Sequence, residues 1–313
     1  MTADANSEGL RILRSEPTLF SMELLWRWSF GLGMLALAFY AYARVRPAVF
    51  ITDADVLTLQ GHDPVAAAAT ASGILGDAMP MLLRTLAEIC APLAVLWIVA
   101  ATLGRGIISR IVVRRFAADY NVAIAADAPR WFAFGVLHLA RVLMLLILVI
   151  GYLGGIFLAA FVSGTEVNLL LSTVVIFCAF ALSAVLWSYV NWVLSVAPIF
   201  VARDALSPLD AIVESIAFIR RNYPRLASIA SWNGLMRGIA ATIISVAGIL
   251  TVVANTVLPP WAVAVLLGVE TLVYFFVSDL FLLARLGAYA SVALRELTLA
   301  QAQSPDHSGT TAR

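Results

Sequence analysis

The sequence predicts an all-α, polytopic membrane protein with six transmembrane helices, both termini cytosolic, and additional amphipathic helices at the interface. Three observations carry this. Of 313 residues, 62% are hydrophobic and only 12% are charged, half the roughly 25% charged content of an ordinary soluble domain. Mean hydropathy is +0.95, whereas a water-soluble chain of this size needs a largely hydrated surface. Six apolar stretches each supply the roughly 20 residues that a bilayer core of about 30 Å requires at 1.5 Å per residue. A soluble globular enzyme and a disordered chain are both excluded.

The first span is expected at 24–43, with Trp26 and Trp28 at one end and Tyr40 and Tyr42 at the other. Such aromatic pairs suit the two membrane interfaces. Glu23 and Arg27 stand four apart in the favourable order for a helical ion pair at its entry. Residues 1–16 mix acids with Arg11 and Arg14 and hold no apolar run with a cleavage site. The first span itself is therefore expected to direct insertion. Further spans are expected at 81–103, 135–161, 169–196, 228–257 and 262–286.

Arginine placement sets the expected orientation, since basic residues accumulate on the cytosolic side. With the N-terminus in the cytosol, the inner segments hold Arg11, Arg14, Arg27, Arg105, Arg110, Arg114, Arg115 and Arg130. They also hold Arg203, Arg220, Arg221, Arg225, Arg295 and Arg313. The outer segments hold only Arg44 and Arg46, and the turns 162–168 and 254–261 hold none. All 20 cationic residues are arginine, as a GC-rich bacterial coding sequence favours. The expected location is a bacterial cytoplasmic membrane.

The outer loop 46–80 is too long for a plain connection. Asp53 is expected to cap a short helix that ends at Gly61, and Asp63-Pro64 to start another. Residues 66–75 then form either a packed cover or a functional lid. On the inner side, Ser207-Pro208-Leu209-Asp210 combines an N-cap, a proline at the first helical position and a capping acid. Leu209, Ile212, Val213, Ile216 and Ile219 follow at helical spacing, which predicts an amphipathic helix over 207–221 lying on the inner interface. It could anchor, dock a membrane protein partner, or gate. Residues 1–302 are expected to form a single domain, with 303–313 a disordered cytosolic tail.

Ionisable groups inside the bilayer cost roughly 2.5–3.5 kcal/mol each on insertion scales, so each needs a partner or a wet cavity. Arg84, Glu88 and Glu270 fall in the outer half, the first two on one helical face. His138, Arg141, Asn191, Asn233, Arg237 and Asp279 all fall near one depth on the inner side. Two readings stay open for these six. They line a cytosol-facing polar pocket for an anionic lipid or metabolite, or they are interhelical glue with Asp279 bridging Arg141 or Arg237.

Catalytic signals are sparse. No HExxH, GxSxG or phosphate-binding glycine loop occurs, and His62-Asp63 is a poor acid–base pair because Asp63 has a capping task. Cys90 and Cys178 sit in apolar runs and are expected as buried free thiols, with no metal motif. Gly31, Gly33, Gly151, Gly154 and Gly155 are expected to serve helix packing. No catalytic residue, metal or cofactor is assigned, and the formal net charge of +1 gives no reason to expect nucleic acid.

One stretch carries a family resemblance. Ser195-Val-Ala-Pro198, followed by Arg203, Ser207-Pro-Leu-Asp-Ala211, Ser215 and Arg220-Arg221, resembles bacterial multi-pass proteins similar to the membrane domain of glycerophosphoryl diester phosphodiesterases. The resemblance implies membrane helices. It transfers no hydrolase activity and no site residue. The role expected from the sequence is a non-catalytic accessory or scaffold module for transport or envelope-lipid handling. The alternative is a small transporter or a lipid- or anion-binding protein using the polar pocket.

Overall fold

A computed structural model describes residues 2–61, 63–124, 130–163 and 169–303. Among these the chain is helical, with no strand. Six helices are long and apolar enough to cross a membrane: α2 (Pro17–Val45), α4 (Pro64–Asp119), α5 (Trp131–Ser163), α6 (Leu169–Asp204), α8 (Tyr223–Val253) and α9 (Pro260–Gln303). The shorter helices are α1 (Thr2–Ser15), α3 (Asp53–Gln60) and α7 (Pro208–Arg221). The expected tail and the turn at 164–168 lie outside the described residues.

Two compact units emerge, the described parts of Met1–Leu25 with Ala101–Arg313, and Trp26–Ala100. The smaller unit pairs the later part of α2 with the early part of α4. Trp97 receives Trp26 at 5.9 Å and Phe30 edge-on at 5.0 Å between ring centroids. Tyr40 donates to Glu88 at 3.2 Å. The cap of α3 is Thr52, not Asp53 as the sequence suggested; Thr52 accepts from the Asp55 amide while the Asp55 carboxylate takes the Thr52 amide. The reciprocal box satisfies two free amides where Asp53 alone would satisfy one. Asp63 does start α4, accepting from the amides of Val65 and Ala66.

Helix α4 then corrects the sequence reading. It is one helix of 56 residues running through Pro80 and Pro92, about 84 Å long at 1.5 Å per residue. Residues 66–75 are its first turns and not a separate cover. Helix α9 likewise continues to Gln303, well past the expected end at 286. Hydropathy marks lipid contact, whereas a helix stops only at a stop signal. For α4 that signal is Asn121, left-handed at φ 54°, with the Val122 amide on the Ala117 carbonyl and the Asn121 amide on Ala118. Helix α6 ends similarly at Ala205, also φ 54°. Two residues later Ser207 accepts from the Asp210 amide and opens α7 as expected.

The packed core of the larger unit lies where the far end of α4, the start of α5, the end of α6, α7, the start of α8, the last half of α9 and α1 come together. Residues 288–294 of α9 are buried without interruption, the pattern of a helix enclosed on all sides. Phe200 of α6 meets Phe218 of α7 edge-on at 5.4 Å. Glycines 9 and 287 let α1 cross α9 at backbone contact, the small-residue route to close helix approach. By contrast, the apolar windows of the six long helices are at most 11% buried. Large apolar side chains such as Phe157, Phe177 and Ile249 face outward there. Cys90 and Cys178 also face outward, contrary to the expected buried thiols: on an apolar exterior a thiol needs no burial.

Candidate functional site

The six polar residues expected at one inner depth fall on two helix pairs. On α5 and α6, Arg141 Nη2 lies 3.5 Å from Ser195 Oγ, and that hydroxyl donates to the Asn191 carbonyl at 2.5 Å. His138 is buried above them, facing the Ala101 backbone, with Arg141 and Arg105 as neighbouring charges. On α8 and α9, Arg237 Nε donates to Ser278 Oγ at 3.1 Å, beside the buried Asp279. Asn233 donates to the Ile229 carbonyl at 2.8 Å and to Asn6 Oδ1 of α1 at 3.4 Å.

The three charges expected in the outer half also meet neighbours. Arg84 reaches Glu88 at 3.2 Å across one helical turn, and Arg44 approaches the same carboxylate at 3.8 Å. Glu270 accepts from Thr251 of α8 at 2.6 Å. Arg84 and Glu88 are both exposed on the protein surface. Glu23 is fully buried and forms a 2.8 Å ion pair with Arg105, a contact the sequence spacing did not suggest. The guanidinium of Arg27 lies over the Trp26 ring, 5.3 Å from its centroid. Of the five glycines expected in packing, Gly33 abuts Leu96 and Gly155 abuts Ala179, while Gly31, Gly151 and Gly154 face open space. His62 lies outside the described residues.

A second arrangement was not anticipated. A cavity of about 320 Å³ opens between α1, the α7–α8 junction and the end of α9. Arg221, Arg225 and Arg295 line it with Asn222, Ser291 and Glu296, and Ala5, Val292 and Leu299 form an apolar wall. Carboxylates hold two of the arginines. Arg221 donates to Glu296 at 2.8 Å and to Glu214 at 2.7 Å, and Asn222 adds a 3.0 Å bond to Glu296. Hydrogen bonds to both acids hold the Arg221 side chain above its usual pKa. Arg295 pairs with Glu8 of α1 and donates to Tyr120 at 2.9 Å. Arg225 is exposed, with no ion-pair partner among the described residues.

The chain matches no protein-family model, no curated protein and no solved structure. The site therefore rests on its own geometry. Among the described residues no three His, Cys, Asp or Glu side chains converge to hold a metal ion. Sequence reasoning used these arginines for orientation, and Arg221 for the resemblance, without bringing them together. The overlooked signal was the helical continuation past residue 286, which carries Arg295 and Glu296 back to Arg221 and Arg225.

Tyr120 ties α1 into this arrangement by donating to Glu8 at 2.7 Å. Burial, and then the Glu8 carboxylate, push its phenol above the ordinary value of 10.0. The folded state thus favours the neutral phenol. This contribution is complete below the unfolded value and is lost as pH rises past 10.0 and through the folded value. Melting followed from pH 8 to 11 should show an alkaline loss of stability that Tyr120→Phe shrinks. An unchanged slope in the variant would remove Tyr120 from this role.

Proposed function

We propose that this chain is a non-catalytic accessory or scaffold module of a bacterial cytoplasmic membrane, serving transport or envelope-lipid handling, with both ends in the cytosol. One observation carries the reading: packing is concentrated at the end where the arginine-rich segments meet. Helices α1 and α7 there turn short polar-flanked segments into a rigid platform, as Phe218 and Ile219 of α7 and Ile12 of α1 bury against neighbours. Arginine enrichment at that end supports placing it in the cytosol. The helix-to-helix contacts of Arg141, Asn233 and Arg237 support the glue reading of the polar layer. The resemblance of residues 195–221 to the phosphodiesterase membrane domain is retained for membrane-helix layout only.

Helix α7 would present the docking face. Ala211, Ser215, Phe218 and Ile219 are its buried side, leaving Leu209 and Val213 exposed beside Arg220. A fluorescent-protein fusion after Gln303 should fold and glow in the cytosol; an exported tail ends the reading. Leu209→Ser with Val213→Ser should release a co-purifying membrane protein without lowering the melting temperature. Retention of every partner by that variant would count against a scaffold. A second reading, an anion- or lipid-binding protein, is favoured by the arginine-lined cavity.

A further inference from the structure

We infer that the cavity between α1, α7–α8 and α9 binds a phosphate-bearing anion with a short apolar arm. The floor is pre-organised for it. Glu296 and Glu214 fix the Arg221 guanidinium through Nε and Nη2, leaving its Nη1 donors for a ligand. Arg225 adds a second planar fork with no partner among the described residues. A tetrahedral anion suits two guanidinium forks, each able to donate two parallel bonds. At about 320 Å³ the cavity is near the lower limit of small-ligand pockets. It takes a phosphate and a few carbons, not a cofactor. Val292 and Leu299 supply an apolar wall for those carbons, and among the described lining residues there is no aromatic ring on which a nucleobase would stack.

The same chemistry has two sources, a lipid headgroup reaching in from the inner leaflet or a free phosphate ester. Only the lipid source rests on the cytosolic placement proposed above; phosphate binding in detergent does not depend on it. The purified full chain is titrated with inorganic phosphate in detergent and, separately, placed in nanodiscs of phosphatidylcholine with or without phosphatidylglycerol, with retained lipid read by native mass spectrometry. Affinity for phosphate supports the site with a soluble ligand; selective retention of phosphatidylglycerol supports it with a lipid. In whichever arm binds, Arg225→Gln should weaken binding at least tenfold and Arg225→Lys should fall between it and the parent. Arg114→Gln, which removes the same charge from an exposed position outside the cavity, should leave binding unchanged. Equal losses for Arg225→Gln and Arg114→Gln, or binding in neither arm, would overturn the inference. A failed fusion assay with intact phosphate binding would sink the topology and spare the site.

Discussion

Replacing Gly9 with leucine is expected to lift α1 off the protein core. A Cβ at Gly9 would overlap the Ala284 carbonyl and lie 3.1 Å from the Ala288 amide nitrogen. Both obstacles are backbone, so no rotamer change relieves the overlap. Nor can α9 retreat, because Ala284 and Ala288 are at most 3% exposed. Overpacking of this kind costs about 1–3 kcal/mol while the crossing is retained. A leucine adds three further carbons to that overlap and is expected to separate the helices, which breaks the contacts of Glu8 with Arg295 and of Arg11 with Asp119. With Cys90 and Cys178 changed to serine, a cysteine at position 12 reports the event, since Ile12 is only 2% exposed. A water-soluble maleimide should label Ile12→Cys slowly in the parent and at least tenfold faster beside Gly9→Leu. Equal labelling and equal melting would mean that this crossing contributes little.

The second large effect is expected at the Glu23–Arg105 ion pair. The carboxylate is completely buried and the guanidinium is 14% exposed, 2.8 Å apart. Removing either partner takes an ion-pair contact from the other charge inside a low-dielectric interior, a loss of about 3–5 kcal/mol. Glu23→Leu or Arg105→Met alone should therefore melt far below the parent in the same detergent. The double variant should recover most of the loss, because an apolar pair of similar volume replaces a buried ion pair at little net cost. Additive losses in the double variant would show that the two residues act independently.

These two sites also show what the sequence disclosed and what it hid. Span number and local punctuation were legible: Gly61 ends α3, Asp63 caps α4, and Ser207 with Pro208 opens α7, because caps and stops act within a few residues. Helix α1 was hidden because its buried stripe of Ala5, Gly9 and Ile12 holds one large apolar side chain, too little for hydropathy to mark. For α7 the apolar stripe was legible, but the side that packs on the protein was not. Leu209 and Val213 point outward, while small Ala211 and Ser215 permit the close approach to the core. Glu23 had a ready local partner in Arg27, and its contact with Arg105 spans two distant segments. The cavity needed the same long-range information, since Arg225 and Arg295 meet only after α8 and α9 fold back on each other.

Helix α9 carries Glu270, bonded to Thr251 within the lipid-facing stretch, and Arg295, at the cavity, on one uninterrupted rod. They stand 25 residues apart, roughly 38 Å along the axis at 1.5 Å per residue. The arginine end is enclosed by its neighbours over 288–294, so a tilt of the rod is taken up at its open, apolar end. Bilayer thickness changes the tilt of such helices. A change in the thickness of the surrounding lipid is therefore absorbed at the Glu270 end, and the spacing of the arginines is shielded from it.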